Sequence, residues 1–157
     1  MSDKPVYLTR DGRDLLQAEL DHLLRVTRME IASRIQQAKD LGDLSENAEY
    51  EAAKNEQAFV EGRIREVQHQ LSNAQIIQEA ADGETQEVRI GSSVTVREED
   101  GEEYTYTIVG SAEARPSNGR ISNESPVGAA LLGKRPRQKV VAQTPSGPLK
   151  MTVVKIR

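Results

Sequence analysis

Two stretches of regularly spaced apolar residues, broken by a short acidic turn, constrain this chain more than any other feature. In the first, Leu16, Leu20, Leu23, Thr27, Ile31, Ile35 and Ala38 recur at intervals of three and four, which places them on one face of a long helix. Thr9 and Asp11 are candidate N-caps ahead of it. The pattern halts at Leu41-Gly42, where glycine can adopt the left-handed conformation that ends helices, and resumes after Asp43-Leu44-Ser45. Ala53, Gln57, Val60, Ile64, Val67, Leu71 and Ala74 then alternate spacings of four and three, as a coiled-coil seam requires. Two helices joined by so short a turn must fold back antiparallel, because each has one apolar stripe and the other is there to cover it. With arms of roughly 30 residues and about 1.5 Å per residue, such a hairpin reaches on the order of 45 Å. An oligomerising coiled coil satisfies the same periodicity.

The second half has a different character. Residues 80–88 lack a periodic apolar face and read as a linker between an N-terminal domain of residues 1–79 and a C-terminal domain of residues 89–157. Ser92 to Arg97 and Tyr104 to Val109 are β-rich runs joined by a turn-like acidic segment, so they are expected to pair as a hairpin. A short strand from Arg120 to Asn123 follows, then a helix opened by Ser125-Pro126 and stopped by Gly133. Two final strands, Lys139 to Gln143 and Leu149 to Ile156, flank the turn Thr144 to Pro148. The expected fold class is therefore α+β: an antiparallel helical hairpin followed by a small β-rich domain with one helix.

Composition narrows the functional classes. Aromatic residues make up only 3% of the chain, so the hairpin must be held by aliphatic residues in periodic positions. The absence of cysteine removes disulfides and thiolate metal sites and fits a reducing compartment. The N-terminus carries no apolar h-region and no apolar run is long enough to span a bilayer, so the expected location is cytoplasmic, without a membrane partner. Residues 1–80 hold ten Lys/Arg against fifteen Asp/Glu. That balance does not suit general neutralisation of duplex phosphates, and it points to a protein partner.

Carboxylates gather where the helical pattern breaks: Asp43, Glu46, Glu49, Glu51 and Glu56. One explanation is capping, with Asp43 or Ser45 at the start of the second helix and acids in its first turn complementing the macrodipole. The other is that Asp43 and Glu46, three apart, converge on a hard cation such as Mg²⁺, which takes one or two carboxylates and leaves its other positions to water and phosphate. Two carboxylates alone hold such an ion weakly, so the site would be completed on a partner. Both readings stand on the residues themselves. His22 and His69, one on each arm, lack the spacing of a zinc site.

The segments GDLSENAEYEAAK at the turn, EGRI (Glu61 to Ile64), LSNAQII (Leu71 to Ile77), SPVGAALLGK (Ser125 to Lys134) and TPSG (Thr144 to Gly147) together resemble the Gre transcript-cleavage factors, and the resemblance covers essentially the whole chain. It implies an N-terminal antiparallel coiled coil and a C-terminal FKBP-like domain that docks on the rim of the secondary channel of bacterial RNA polymerase. The coiled coil then lies in the channel. The family's tip acids bind the second, weakly held catalytic Mg²⁺ of the polymerase and stimulate its own cleavage of backtracked RNA; those positions here are Asp43 and Glu46. On this reading the chain is not an enzyme, and it meets nucleic acid, the nascent RNA 3′ end, only within the elongation complex.

Lys39 and Lys54 match positions that are basic in the family and are candidates to meet RNA phosphates, or are ordinary solvated lysines. Tyr50 could stack on a base, although packing against the opposite arm suits its position better. Lys134, Arg135, Arg137 and Lys139 form either a docking surface or a solvated edge. Two further functional readings compete. A Gre-like inhibitor would occupy the same channel without cleavage, but Asp43, Glu46, Asn47 and Tyr50 all stand where the cleavage factors have them. A prolyl isomerase needs an apolar aromatic pocket, but the β-rich domain offers one candidate pair, Tyr104 and Tyr106, and no Trp or Phe.

Overall fold

The computed structural model describes residues 4–43, 47–79 and 83–157, and these divide into two compact units. One comprises residues 13–73; the other joins residues 1–12 to residues 74–157. The packing thus divides the chain elsewhere than at the expected linker. The reason is a pair of short strands absent from the sequence reading: β1 (Val6–Leu8) and β2 (Ala74–Ile76) pair in parallel, Val6 opposite Ala74. Ala74, expected on the helical seam, is therefore a strand residue.

The helical unit is an antiparallel hairpin. Its first arm comprises α1 (Arg10–His22), a π-helical segment Leu23–Thr27, and α2 (Arg28–Asp40); its second is α3 (Ala48–Ser72). Leu20, Ile31 and Ile35 pack with Ala53, Val60, Ile64 and Val67, as the two apolar stripes require. A regular helix was expected throughout the first arm. The widened π turn instead lets two consecutive residues, Leu23 and Leu24, both pack against this core. Flanking ion pairs run across the seam, Arg28 to Glu61 at 2.8 Å, Arg34 to Glu56 at 2.7 Å and Arg63 to Glu19 at 2.6 Å. The Arg34 guanidinium holds the Glu56 carboxyl below its ordinary range, and Arg63 does the same to Glu19.

The β-rich unit is built on a five-stranded sheet in the order β5-β4-β3-β7-β6, with β3 Ser93–Glu98, β4 Glu103–Val109, β5 Arg120–Ser122, β6 Lys139–Thr144 and β7 Gly147–Ile156. The expected hairpin forms with Val94 opposite Tyr106 and Val96 opposite Tyr104. Helix α4 (Pro126–Leu131) begins at Ser125, whose side chain accepts a bond from the Gly128 N–H, and its Leu131 is fully buried. The β6–β7 connection is tighter than anticipated: Thr144 pairs with Gly147, leaving two residues in the turn. Val88, assigned to the linker by composition, belongs to the core with Val94, Val96, Ile108 and Val153, and its N–H donates to the Lys134 carbonyl. The exchange of alternating Val and Ile on one face for Thr and Ser on the other explains the sheet. Thr95 and Thr105 bond across strands at 3.0 Å, as do Ser93 and Thr107 at 2.9 Å. Among the described residues no helix is long and apolar enough to cross a membrane.

Candidate functional site at the hairpin tip

The site begins where α2 runs out of hydrogen-bond partners. The Leu41 N–H donates to the Ala38 carbonyl at 3.3 Å and the Gly42 N–H to the Lys39 carbonyl at 3.1 Å, which tightens the last turn. Gly42 then takes φ of +103°, a backbone conformation that a side chain would strain. Asp43, the next residue, is exposed. Glu46 and the two residues before it lie outside the described residues, so the expected partnership of Asp43 with Glu46 is not a matter of observed geometry.

Helix α3 opens with Asn47 as its N-cap, and the Asn47 Oδ1 accepts from the Tyr50 N–H at 3.1 Å. This corrects the expectation that Asp43 or Ser45 caps the helix. Asn47 stands immediately before Ala48, the first residue of α3, and has the extended backbone that capping needs. The same side chain turns its Nδ2 to the Ala38 carbonyl at 2.9 Å. The sequence signal for this cap is a polar amide just ahead of two acidic first-turn residues, Glu49 and Glu51.

The other predicted residues sort by environment. Lys39 is exposed in the last turn of α2, and Lys54 is exposed on α3 with its Nζ 3.0 Å from the Gln57 Oε1. Both stand near the tip on opposite arms. Tyr50 is half-buried against the hairpin core, which matches its packing role. Glu56 is engaged by Arg34 in the ion pair described above. His22 is exposed, and the His69 ring lies 3.1 Å from the Asn73 amide at the far end of α3. Among the described residues no three His, Cys, Asp or Glu side chains gather as a metal site.

In the β-rich unit Lys134, Arg135 and Arg137 lie in the irregular connection between α4 and β6, and Lys139 opens β6. Arg137 takes φ of +69°, and its N–H donates to the Val153 carbonyl at 2.7 Å, so the backbone is fixed while the side chain is exposed. Tyr104 and Tyr106 stack with ring centroids 6.5 Å apart. Tyr106 packs on the core, and the Tyr104 hydroxyl donates to Glu102 at 2.7 Å, which pushes its pKa up to about 12.

The chain is matched along both halves by family models. Residues 6–76 match the model described as "Transcription elongation factor, N-terminal", and residues 83–157 match "Transcription elongation factor, GreA/GreB, C-term". It is 64% identical to transcription elongation factor GreA of Chloroflexus aggregans and 65% identical to that of Roseiflexus sp. strain RS-1, in each case over 100% of both chains. Among solved structures, GreA factor homolog 1 of Thermus thermophilus is 31% identical, with 98% of this chain and 99% of that chain covered and a TM-score of 0.44. On the two family models and full-length identities above 60%, the chain belongs to the GreA/GreB family of transcription elongation factors.

Proposed function

We propose that this elongation factor acts in the cytoplasm on bacterial RNA polymerase, entering its secondary channel with the helical hairpin and stimulating the polymerase's own endonucleolytic cleavage of backtracked nascent RNA. The observation that carries this reading is the tip itself. Two arms, of which α3 alone has 25 residues and so extends about 37 Å, are packed along their lengths and present the exposed Asp43 at the turn. The neighbouring motif that includes Glu46 completes the resemblance to the cleavage factors.

The donor chemistry fits Mg²⁺: Asp43 offers hard carboxylate oxygen at an exposed position, and Glu46 would supply a second, leaving room for water and phosphate. When bound, such an ion would supply Lewis-acid chemistry for a phosphodiester displacement, making water more acidic and offsetting developing negative charge. Asp43 and Glu46 would hold it, and Lys39 and Lys54 would meet phosphates of the extruded RNA. The β-rich unit, FKBP-like by resemblance, would dock on the polymerase surface.

The test is RNA cleavage in stalled, backtracked elongation complexes with Mg²⁺, comparing wild type with Asp43→Asn and Glu46→Gln. Acceleration by the wild type, with both variants still binding yet failing to accelerate, supports the reading. A wild type that suppresses cleavage assigns the tip to inhibition instead, and one that leaves cleavage unchanged overturns the cleavage reading and returns the acids to a capping role.

A further inference from the structure

We propose that the solvent face of β6 and β7, with the loop that leads into β6, is a sequence-independent contact for the phosphate backbone of duplex nucleic acid. The site belongs to the β-rich unit alone and does not depend on the cleavage reading above. Charge along the chain gives the first reason. From Ser125 to Arg157 the sequence holds seven of the chain's 21 Lys and Arg and none of its 25 Asp and Glu, so a protein of net charge -4 carries a strongly basic end. The acidic balance of residues 1–80, which does not suit duplex phosphates, is reversed here.

The sheet gathers these charges on one side. Lys139 lies opposite Thr152 and Val141 opposite Lys150, so strand alternation puts all four on one face, while Val140, Met151 and Val153 are buried on the other. The register shift between Thr95 and Val96 brings Lys155 to the same face, opposite Thr95. Lys139, Lys150 and Lys155 are exposed. Lys150 comes no nearer than 3.8 Å to Glu99, and among the described residues no ion pair engages Lys139 or Lys155. Arg135 and Arg137, likewise exposed and outside any ion pair among the described residues, extend the charge along the loop into Lys139. The loop's backbone is pinned, with the Arg137 N–H donating to the Val153 carbonyl at 2.7 Å and the Val153 N–H to the Gln138 carbonyl at 3.0 Å. Arg137 holds φ of +69°, where glycine would be unstrained, so a long cation is kept there at a conformational cost.

The chemistry of the face selects the ligand. Protein interfaces draw their affinity from buried aromatic and aliphatic anchors, and among the described residues of β6 and β7 Val141 is the one large hydrophobic that is exposed. Cations beside hydroxyls such as Thr152 suit phosphate oxygens better. Single strands are held by stacking bases on aromatic rings, but Tyr104 and Tyr106 stand opposite Val96 and Val94, on the other side of the sheet. What is left is charge without a stacking platform, which fits a duplex backbone and carries no base readout.

The test is fluorescence anisotropy of a short labelled DNA duplex titrated with the full chain at a series of salt concentrations. If Arg135, Arg137, Lys139, Lys150 and Lys155 each neutralise one phosphate, log affinity should fall with log salt at a slope of about −4.5, about 500-fold between about 50 and 200 mM. Lys139→Gln combined with Lys150→Gln should reduce the slope to about −2.7, about 40-fold over the same range, on every duplex sequence alike. Arg137→Gly should reduce it by about one without lowering the urea midpoint, which separates lost charge from lost fold. Arg25→Gln, which removes an exposed arginine of the helical unit, should leave it unchanged. The proposal is overturned by an absence of binding at low salt, by an equal loss in Arg25→Gln, or by tighter binding of a single strand of the same length. It is overturned also if a polyglutamate peptide competes as well per charge, since the face would then serve an acidic protein.

Discussion

Replacing Gly12 by alanine should destabilise this protein, although alanine is the better helix former, and the sign should reverse once Glu113 is removed. Thr9 is the N-cap of α1, its Oγ1 accepting from the Gly12 N–H at 3.0 Å. In a capping box, a glutamate three residues after the cap would reach back to the cap's own N–H. Here that position is glycine, and the carboxylate comes from Glu113, which accepts from the Thr9 N–H and from the Thr9 hydroxyl, both at 2.6 Å. Arg120 supports it at 3.5 Å. A methyl group at Gly12 would collide with this carboxylate, 2.8 Å from Oε2 and closer to Oε1. Glu113 is a flexible side chain, but Thr9 holds its far end on both oxygens.

Evicting it loses two charge-assisted bonds, together about 2–4 kcal/mol for a partly exposed site, against at most about 1 kcal/mol gained in helix propensity. The net expectation is a destabilisation of about 1–3 kcal/mol. In a Glu113→Ala background the collision is gone, and Gly12→Ala should stabilise by about 0.5–1 kcal/mol. Urea unfolding of the four proteins, followed by far-ultraviolet circular dichroism and compared at constant slope, measures the coupling. If Gly12→Ala has the same effect with and without Glu113, the tertiary capping argument is refuted.

Other consequences are simpler to check. The Tyr104 hydroxyl, held protonated by Glu102, should titrate near pH 12 in an absorbance titration of tyrosinate, and Glu102→Ala should bring it back toward 10; since the folded value is raised, the bond's contribution is present below the unfolded pKa and lost as pH climbs through 12. Glu19 has a depressed pKa, so its stabilisation is present above the ordinary carboxylate value and lost as pH falls through the folded one; with 38% of the side chain exposed, Glu19→Gln should cost under about 1 kcal/mol at neutral pH and nothing at low pH. Ile64, 2% exposed in the hairpin seam, should cost about 2–4 kcal/mol of hairpin stability as alanine, seen in the helical circular dichroism melt, while the surface change Gln68→Ala should cost under about 0.5 kcal/mol.

What the sequence determined by itself is whatever is periodic or local. The stripes Leu20–Ile31–Ile35 and Val60–Ile64–Val67 dictate a two-helix hairpin because each face can be covered by its neighbour. Alternation in β3 and β4 dictates their pairing, and Ser125-Pro126 dictates the start of α4. The exposed acid at the turn was legible for the same reason, since Gly42 ends one helix within a few residues of the next. What the tertiary structure decided are bonds between groups far apart in the chain. Neither Val6–Leu8 nor Ala74–Ile76 has a strand's length or pattern; each becomes a strand only when the other supplies its hydrogen bonds. Glu113 becomes a cap for a helix that begins 103 residues earlier, at Arg10. Asn47 outcompetes Asp43 because the ends of both helices, once packed, put Ala38 and Tyr50 within reach of one amide. Apolar spacing fixes which surfaces meet, and only their meeting fixes which polar groups find partners.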